Sequence, residues 1–381
     1  MGIANAIHFY NGKILRNHRI EDGELWINEG KIIPAQSEAA HVVDLKGNLL
    51  APGYIDLQIN GMFGCDITSN PEKVGDIAMR MGRYGVTSFL ATVISANLEE
   101  YQRNLPVLQK QIGKTKGAEL LGIHLEGPCF SPSQAKAHSA GKVRSCEEFV
   151  TPADCYGDMQ GVKLVTLAPE LPHALEWIKW LKKRGIVAAA GHTMASAQQL
   201  ERAIEAGVSM VTHLFNAMAT FHHRAPGIIG VVLNRPGFPY SIIVDGEHVD
   251  PLAVSLAWRC QPEGLFLVSD AMAALGAPCG GCYLADQQVD TSGGRALIAG
   301  TKMLAGSVVG IDQMVRNLRM YTRASVVEVL EAAALKPARV LGMEGRKGTL
   351  QIGADADLII LDSDLNLQAC YARGVSVSIA D

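Results

Sequence analysis

The chain has 381 residues, of which 48% are hydrophobic, and its formal net charge is −4 at pH 7. This length and composition predict one large core with a smaller additional domain. The small negative charge excludes a global basic surface for nucleic acid or membrane, so an anionic ligand needs a local cationic cluster. No apolar run reaches the length of a membrane-spanning helix.

The amino-terminal sequence M-G-I-A-N-A lacks the basic and apolar regions of a secretory signal, and Ala6 replaces the Ser or Thr of a myristoylation motif. Eight cysteines in such a chain favour reduced thiols and a cytoplasmic location. Cys279 and Cys282 form an isolated C-x-x-C pair. Because no second pair stands at a metal spacing, a glycine-rich turn is a better interpretation than a redox or zinc site.

The two ends of the chain predict β-structure. Alternating runs at 23–28 and 41–45 are separated by E-G-K and K-G-N turns, and the last stretch is again strand and turn. We therefore predict that residues 1–52 and 345–381 form one small β-sandwich domain.

Residues 53–344 show a different pattern, in which apolar runs alternate with amphipathic segments that predict helices. This alternation is typical of βα units and a parallel sheet. A β-like excursion at 282–300 and two further helices, at 311–321 and 326–335, follow the last run. The apolar runs lie at 53–60, 86–94, 120–126, 162–170, 186–192, 208–215, 240–245 and 265–270. Eight such units predict an α/β fold, a TIM-like (β/α)8 barrel with its active site at the carboxyl ends of the strands.

Four residues that can perform metal chemistry each stand at the end of a run: Glu126, His192, His213 and Asp270. A carboxylate and two imidazoles can hold a divalent ion with a position left for water, so we predict the first three as ligands of one metal ion per subunit. Asp270 is predicted as the general acid and base for that water. The alternatives are a structural salt bridge for Glu126, structural roles for the histidines and a helix cap for Asp270.

Gln58 and Asn60 end the first run on one face of a strand, where many metal-dependent barrel hydrolases have H-x-H. Neutral amides are poor ligands for a borderline-soft metal. We therefore predict that both residues line the site without binding a second ion. The alternative is that they only satisfy backbone groups at the strand end.

Two loop regions are candidates for substrate contacts. His138 lies in a loop rich in Ser, Pro and Ala, where it is either solvated or a donor to a developing oxyanion. Residues 222–224 and 245–248 place basic groups near the ends of the sixth and seventh runs. Arginine with imidazole suits a phosphate, although spacing alone favours ordinary exposed loops.

Together these segments resemble the N-acetylglucosamine-6-phosphate deacetylase family of the amidohydrolase superfamily. The resemblance extends from about residue 50 to 310, and A-D-A-D-L-I-I-L-D near the end is similar to the superfamily's return to its small β domain. The motifs that carry it are A-P-G-Y-I-D-L-Q-I-N-G, H-L-E-G-P, V-T-L-A-P-E, G-H-T, T-H-L-F-N-A-M, H-H-R-A-P-G, V-D-G-E-H, V-S-D-A and L-A-G-S.

The resemblance implies hydrolysis of a linear amide, from N-acetyl-D-glucosamine 6-phosphate to glucosamine 6-phosphate and acetate. It implies zinc at the three ligands named above, Asp270 as acid and base, and His138 as the group that polarises the acetamide carbonyl. It also implies a homodimer in which Arg224 reaches the neighbouring active site. The other implied substrate contacts are Gln58, Asn60, Asn216, Ala217, His248, Leu304, Ala305 and Gly306.

One loop departs from the family pattern. Members usually read K-G-x-H or K-G-A-H before the histidine, whereas residues 135–138 read A-K-A-H. If the family's glycine has a positive φ, an alanine there shifts the loop and with it His138.

Three other functions compete with this interpretation; Gln58 and Asn60 argue against the second of them, and the four residues at the run ends argue against the third. An N-acetylgalactosamine-6-phosphate deacetylase would share every catalytic residue. A cyclic-amide hydrolase such as a dihydroorotase or hydantoinase would prefer H-x-H and a bridging lysine. A catalytically inactive scaffold would not need stoichiometric metal.

Overall fold

The computed structural model describes residues 6–277, 281–291 and 293–379. The turn predicted at Cys279 and Cys282 falls partly outside these ranges, because Cys279 is not among the described residues. The strands are β1 (Ile7–Arg16), β2 (Arg19–Asn28), β3 (Lys31–Ile33), β4 (His41–Asp44), β5 (Leu49–Pro52), β6 (Tyr54–Ile59), β7 (Gly61–Met62), β8 (Cys65–Asp66), β9 (Val86–Ile94), β10 (Glu119–Glu126), β11 (Val162–Leu167), β12 (Val187–Ala190), β13 (Val208–Val211), β14 (Tyr240–Ile242), β15 (Leu265–Leu267), β16 (Cys282–Leu284), β17 (Gln287–Asp290), β18 (Leu297–Ile298), β19 (Leu358–Leu361), β20 (Leu367–Ala372) and β21 (Val375–Val377).

The α-helices connect and cover these strands, and no helix in the described ranges is both long and apolar enough to cross a membrane. They are α1 (Val74–Arg80), α2 (Leu98–Gln109), α3 (Pro152–Tyr156), α4 (Ala174–Lys183), α5 (Ala197–Ala206), α6 (Gly227–Leu233), α7 (Pro251–Cys260), α8 (Ile311–Thr322), α9 (Val326–Ala333) and α10 (Leu335–Val340).

The central sheet confirms the predicted barrel. Its parallel strands follow the order β6, β9, β10, β11, β12, β13, β14 and β15, so each predicted run contributes one strand. The sheet closes through a parallel bridge between Ile59 and Ala271, where Asn60 N donates to Ala271 O at 2.8 Å. In a barrel closed in this way, the carboxyl ends of all the strands meet at one mouth.

The local sequence explains these elements. Strand β9 is an unbroken apolar and small polar run whose nine residues are all buried, as expected for a parallel strand covered on both faces. Helix α5 begins at the capping box of Ser196 and Gln199, buries Leu200 and Ala203, and ends at Gly207 with φ 137°. This βα unit therefore carries its own start and stop signals.

Both ends of the chain contribute to a second sheet, in the order β21, β20, β19, β5, β1, β2 and β3. Strand β1 divides this sheet, because its first half pairs with β4 and its second half pairs with β5. Phe9, Leu25, Leu50 and Leu358 belong to an apolar cluster distinct from the barrel core. We retain the boundaries 1–52 with 345–381, and 53–344, as a proposal that these separate cores support.

A small antiparallel sheet of β16, β17 and β18 follows the last barrel strand. Its buried residues Leu284 and Val289 share a cluster with Ile94, Ala137 and Met272. The excursion predicted at 282–300 therefore packs onto loops at the mouth of the barrel.

Candidate active site

The predicted metal and acid–base residues stand where the chain turns out of the barrel strands. Glu126 is the last residue of β10, and His192, His213 and Asp270 follow β12, β13 and β15 by two or three residues. The φ angles of these last three are 50°, 33° and 47°, in the left-handed region that side chains rarely adopt. Each such conformation costs about 1 kcal/mol or more, and the surrounding structure must hold it.

Glu126, His192 and His213 form one buried cluster. The Oε1 atom of Glu126 lies 3.3 Å from His192 Nε2 and 3.1 Å from His213 Nε2, and these two nitrogens are 3.2 Å apart. His192 Nδ1 donates to the carbonyl oxygen of Gln134 at 2.8 Å, which leaves the Nε2 lone pair facing the cluster in the neutral ring. Two imidazole nitrogens and a carboxylate oxygen that converge in this way fit a divalent ion.

Neutral amides connect the two carboxylates of the site. Gln58 Nε2 donates to Glu126 Oε1 at 2.8 Å and to Asp270 Oδ1 at 3.1 Å, and Asn60 Nδ2 donates to Asp270 Oδ1 at 2.8 Å. Burial, with the charge of Glu126 beside it, raises the pKa of Asp270 to about 7. This carboxyl group can therefore exchange a proton near neutral pH.

His138 is buried beside the cluster, and the alternative of a solvated loop residue is wrong. Its Nδ1 accepts from the backbone N–H of Ser95 at 3.2 Å and lies 2.8 Å from the Ser95 hydroxyl. The proton of the neutral ring is therefore on Nε2. Burial lowers the pKa of His138 to about 3, so the ring is a neutral donor.

The loop before His138 also differs from expectation. The residue with positive φ is Lys136, at 52°, and neither flanking alanine adopts such a φ. The loop accommodates a lysine side chain at this position while His138 still reaches the site. In A-K-A-H the residue at the place of the family's glycine is Lys136, so the expected shift caused by an alanine was attached to the wrong residue.

These residues surround one cavity with a volume of about 180 Å³. Three residues implied as contacts do not line it: Gln58 lies behind the metal cluster, Ala305 is fully buried and Arg224 is exposed. The lining includes all four metal and acid–base residues and, of the remaining predicted contacts, Asn60, His138, Asn216, Ala217, His248, Leu304 and Gly306.

Two residues in or beside the site, Lys136 and Asp56, were not predicted from the sequence. Lys136 lines the cavity, and its position two residues before a predicted site histidine was an available signal. Asp56 is buried and accepts from the backbone and hydroxyl of Ser269 at 3.1 and 2.5 Å, which anchors the residue before Asp270. The sequence signal for Asp56 was an acidic residue within an apolar run that ends at the mouth of the barrel.

Comparison with known proteins assigns most of the chain to a known protein family. The model of the Amidohydrolase family matches residues 49–378. An N-acetylglucosamine-6-phosphate deacetylase of Danio rerio is 41% identical over 392 residues, which cover 98% of this chain and 97% of the relative.

Two solved structures give the same result at the level of the fold. The N-acetylglucosamine-6-phosphate deacetylase of Pasteurella multocida has a TM-score of 0.88 and 27% identity, with 97% of this chain and 99% of that one covered. A substituted Mycobacterium smegmatis N-acetyl-D-glucosamine-6-phosphate deacetylase in complex with N-acetyl-D-glucosamine 6-phosphate has a TM-score of 0.87 and 29% identity, with 98% and 99% covered.

Proposed function

The chain belongs to the amidohydrolase family, and on this basis we propose that it is an N-acetylglucosamine-6-phosphate deacetylase. It hydrolyses the acetamide of N-acetyl-D-glucosamine 6-phosphate and releases D-glucosamine 6-phosphate and acetate. The observation that carries this function is the buried cluster of Glu126, His192 and His213, which shares one cavity with Asp270. Full-length similarity to deacetylases of this substrate supports its identity.

We propose one zinc ion per subunit, held by Glu126, His192 and His213. When bound, a divalent zinc ion lowers the pKa of a coordinated water and polarises a carbonyl group. The donor set of two imidazoles and one carboxylate suits zinc better than calcium or magnesium, which prefer oxygen ligands. Gln58 and Asn60 donate to carboxylates of the site, which supports the proposal that neither amide is a metal ligand; of the two, Asn60 lines the cavity.

Asp270 and His138 perform the proton transfer and charge stabilisation. The carboxylate of Asp270 takes a proton from the attacking water and returns it to the sugar nitrogen as the C–N bond breaks. His138 donates its Nε2 proton in a hydrogen bond to the acetamide oxygen as negative charge develops there. The bond from Ser95 to His138 Nδ1 prevents the other tautomer, in which Nε2 would have no proton to donate.

Substrate contacts are proposed for the remaining lining residues. Asn216, Ala217 and the loop at 304–306 surround the sugar, and His248 binds its phosphate. Arg224 is exposed in this chain, which supports its contact with the active site of the partner subunit in a homodimer. Phosphate binding far from the scissile bond orients the acetamide and so contributes to the rate.

We also propose a cytoplasmic location. The seven cysteines in the described ranges are free, five of them buried, which supports a reducing compartment.

Acetate release from metal-loaded protein tests the function. N-Acetylglucosamine 6-phosphate, N-acetylgalactosamine 6-phosphate and unphosphorylated N-acetylglucosamine are compared at equal concentrations. The expected result is preferred turnover of the first. Preference for the galactosamine compound would instead identify the other deacetylase, and no turnover with about one bound metal per chain would contradict a deacetylase altogether.

A further inference from the structure

We propose that Lys136 binds the phosphate group of the substrate from within the same chain. This inference rests on the proposed function, because it assigns a contact in that substrate. It adds to the active site a cation that does not depend on a neighbouring subunit.

The charge of the cavity supports this assignment. Among the residues that line it, Lys136 is the one lysine or arginine, while Glu126 and Asp270 contribute carboxylates. His248 lines the same space, but its Nδ1 is bonded to Asp245 Oδ2 at 2.6 Å, so only Nε2 remains for a ligand. The proposed zinc ion offsets the two carboxylates, so a phosphate dianion that enters the cavity still needs a cation of its own.

Lys136 has a free ammonium group, in contrast to the next lysine of the same loop. Lys142 Nζ lies 2.9 Å from Glu100 Oε1 and 3.6 Å from Asp286 Oδ2. Lys136 is exposed and has no ion-pair partner in the part of the chain that the structure describes. An unpaired ammonium at a cavity can bind an anion without first breaking an internal ion pair.

The backbone fixes where the Lys136 side chain leaves the loop. Ala135 and Ala137 on either side are buried, whereas Lys136 is exposed and adopts a φ of 52°. His138 N donates to the carbonyl oxygen of Ala135 at 3.0 Å, which closes a turn around the lysine. The lysine is thereby held at a defined place relative to His138.

Two contacts connect this turn to the rest of the site. His192 Nδ1 donates to the carbonyl oxygen of Gln134, and Gln287 Nε2 donates to that of Ala137. The turn is therefore attached to a metal ligand on one side and to the small antiparallel sheet on the other. Both attachments hold the backbone of Lys136 in place beside the cavity before the substrate arrives, so only the side chain has to become ordered on binding.

The test compares kcat/KM for N-acetylglucosamine 6-phosphate with that for unphosphorylated N-acetylglucosamine. The variants are Lys136→Gln, which keeps the backbone strain and removes the charge, Lys136→Arg, which keeps the charge, and Lys142→Gln, a control from the same loop outside the cavity. The ratio of the two kcat/KM values is expected to fall about 10- to 100-fold in Lys136→Gln, mostly through KM. It is expected to stay within about threefold of wild type in the other two variants.

Each outcome separates this inference from the proposed function. If wild type releases acetate but Lys136→Gln retains the wild-type ratio, or changes it no more than Lys142→Gln does, the role of Lys136 is overturned while the deacetylase stands. If wild type releases no acetate from either sugar, the proposed function fails, and calorimetric titration of the metal-loaded protein with inorganic phosphate decides the inference. Weaker phosphate binding in Lys136→Gln than in wild type then supports the subsite, and equal binding or none in wild type overturns it.

Discussion

Strand β10 has a buried glutamate at each end, and the surroundings of the two residues are opposite. Glu119 begins the strand at the amino-terminal face of the barrel, and Glu126 ends it at the mouth. Both side chains have less than a tenth of their surface exposed. A buried carboxylate at one end of this strand is therefore held by cations that stabilise the fold, and the one at the other end lies among groups that can take part in chemistry.

Glu119 is neutralised by fixed cations. Its carboxylate accepts from Arg346 Nη2 at 2.5 and 2.6 Å and lies 2.6 Å from Lys347 Nζ. Lys347 is 1% exposed and also contacts Asp355 at 2.9 Å and Asp357 at 2.6 Å. Burial raises the pKa of Glu119, but the charge of Lys347 and the bonds from both cations outweigh it and leave the pKa below its usual value.

Glu126 has imidazoles and an amide as its partners, and in the described contacts neither it nor Asp270 pairs with a lysine or arginine. In the described contacts, the charge of Glu126 can therefore be offset directly by a bound ion or by protons on the histidines. Burial raises the pKa of Glu126, but the bonds from His192 and His213 outweigh it, so the pKa of Glu126 falls below its usual value, as that of Glu119 does. The group that differs is Asp270, whose pKa burial and the charge of Glu126 raise to about 7. Groups at the mouth remain able to bind an ion and exchange protons, and groups at the opposite face do not.

The largest predicted effect separates the two glutamates. Glu126→Gln removes a proposed metal ligand, so we expect metal affinity to fall at least about 100-fold and acetate release to fall below detection. Glu119→Gln is the matched control, with the same change on the same strand. It is expected to bind metal normally and to lose about 3 kcal/mol of unfolding free energy. Equal losses of metal affinity in both variants would contradict the division between the two ends.

Lys347→Met tests the amino-terminal face from the cation side. It leaves the carboxylates of Glu119 and Asp357 buried without this partner, so we expect a loss of about 3 to 5 kcal/mol in the free energy of unfolding. Urea denaturation gives this value, and kcat of the protein that remains folded is expected to be unchanged. A loss below about 1 kcal/mol would show that the network is not needed for stability.

His138→Asn tests the proposed role of His138 as a hydrogen-bond donor at the mouth of the barrel. Loss of the Nε2 donor is expected to reduce kcat about 100-fold, with little change in metal content. Steady-state kinetics and metal analysis on the same sample measure both quantities. Loss of metal in parallel with kcat would instead assign His138 a role in holding the ion.

A smaller effect is expected from pH. Asp270 must be ionised to accept a proton, so kcat/KM falls as pH decreases below its pKa, about tenfold per unit. Burial and Glu126 raise the pKa of Asp270 from 3.8 to about 7, and a bound cation favours the ionised form. The acid limb is therefore expected at or below about pH 7, with metal content measured at each pH as the control. A limb centred above pH 8 would contradict this assignment.

The barrel and most of its site could be predicted from sequence because both depend on local pattern. Strand β9, for example, is an apolar run whose burial follows directly from its composition. Glu126, His192, His213 and Asp270 stand at the ends of such runs, and closure of the barrel brings strand ends together. The sequence therefore predicted that these four residues come together, without any knowledge of distances.

What could not be predicted depends on loop conformation and on distant contacts. Lys136 lines the cavity and has a positive φ, a conformation that a lysine in the sequence does not predict. Arg346 and Glu119 are 227 positions apart and meet only in the folded chain, where the loop between α10 and β19 contacts the first residue of β10. The contact implied for Arg224 depends on a second subunit, so its exposure in one chain leaves that contact a prediction.

Acetate release from N-acetylglucosamine 6-phosphate by metal-loaded wild type and Asp270→Asn is the most direct test of the account. The substitution replaces a carboxylate by a neutral amide of nearly the same shape, and metal content serves as the control. We expect turnover by wild type and a loss of about 1,000-fold in kcat for the variant, with equal metal bound. Wild-type kcat in the Asp270→Asn protein would contradict the assignment of proton transfer to the mouth of the barrel.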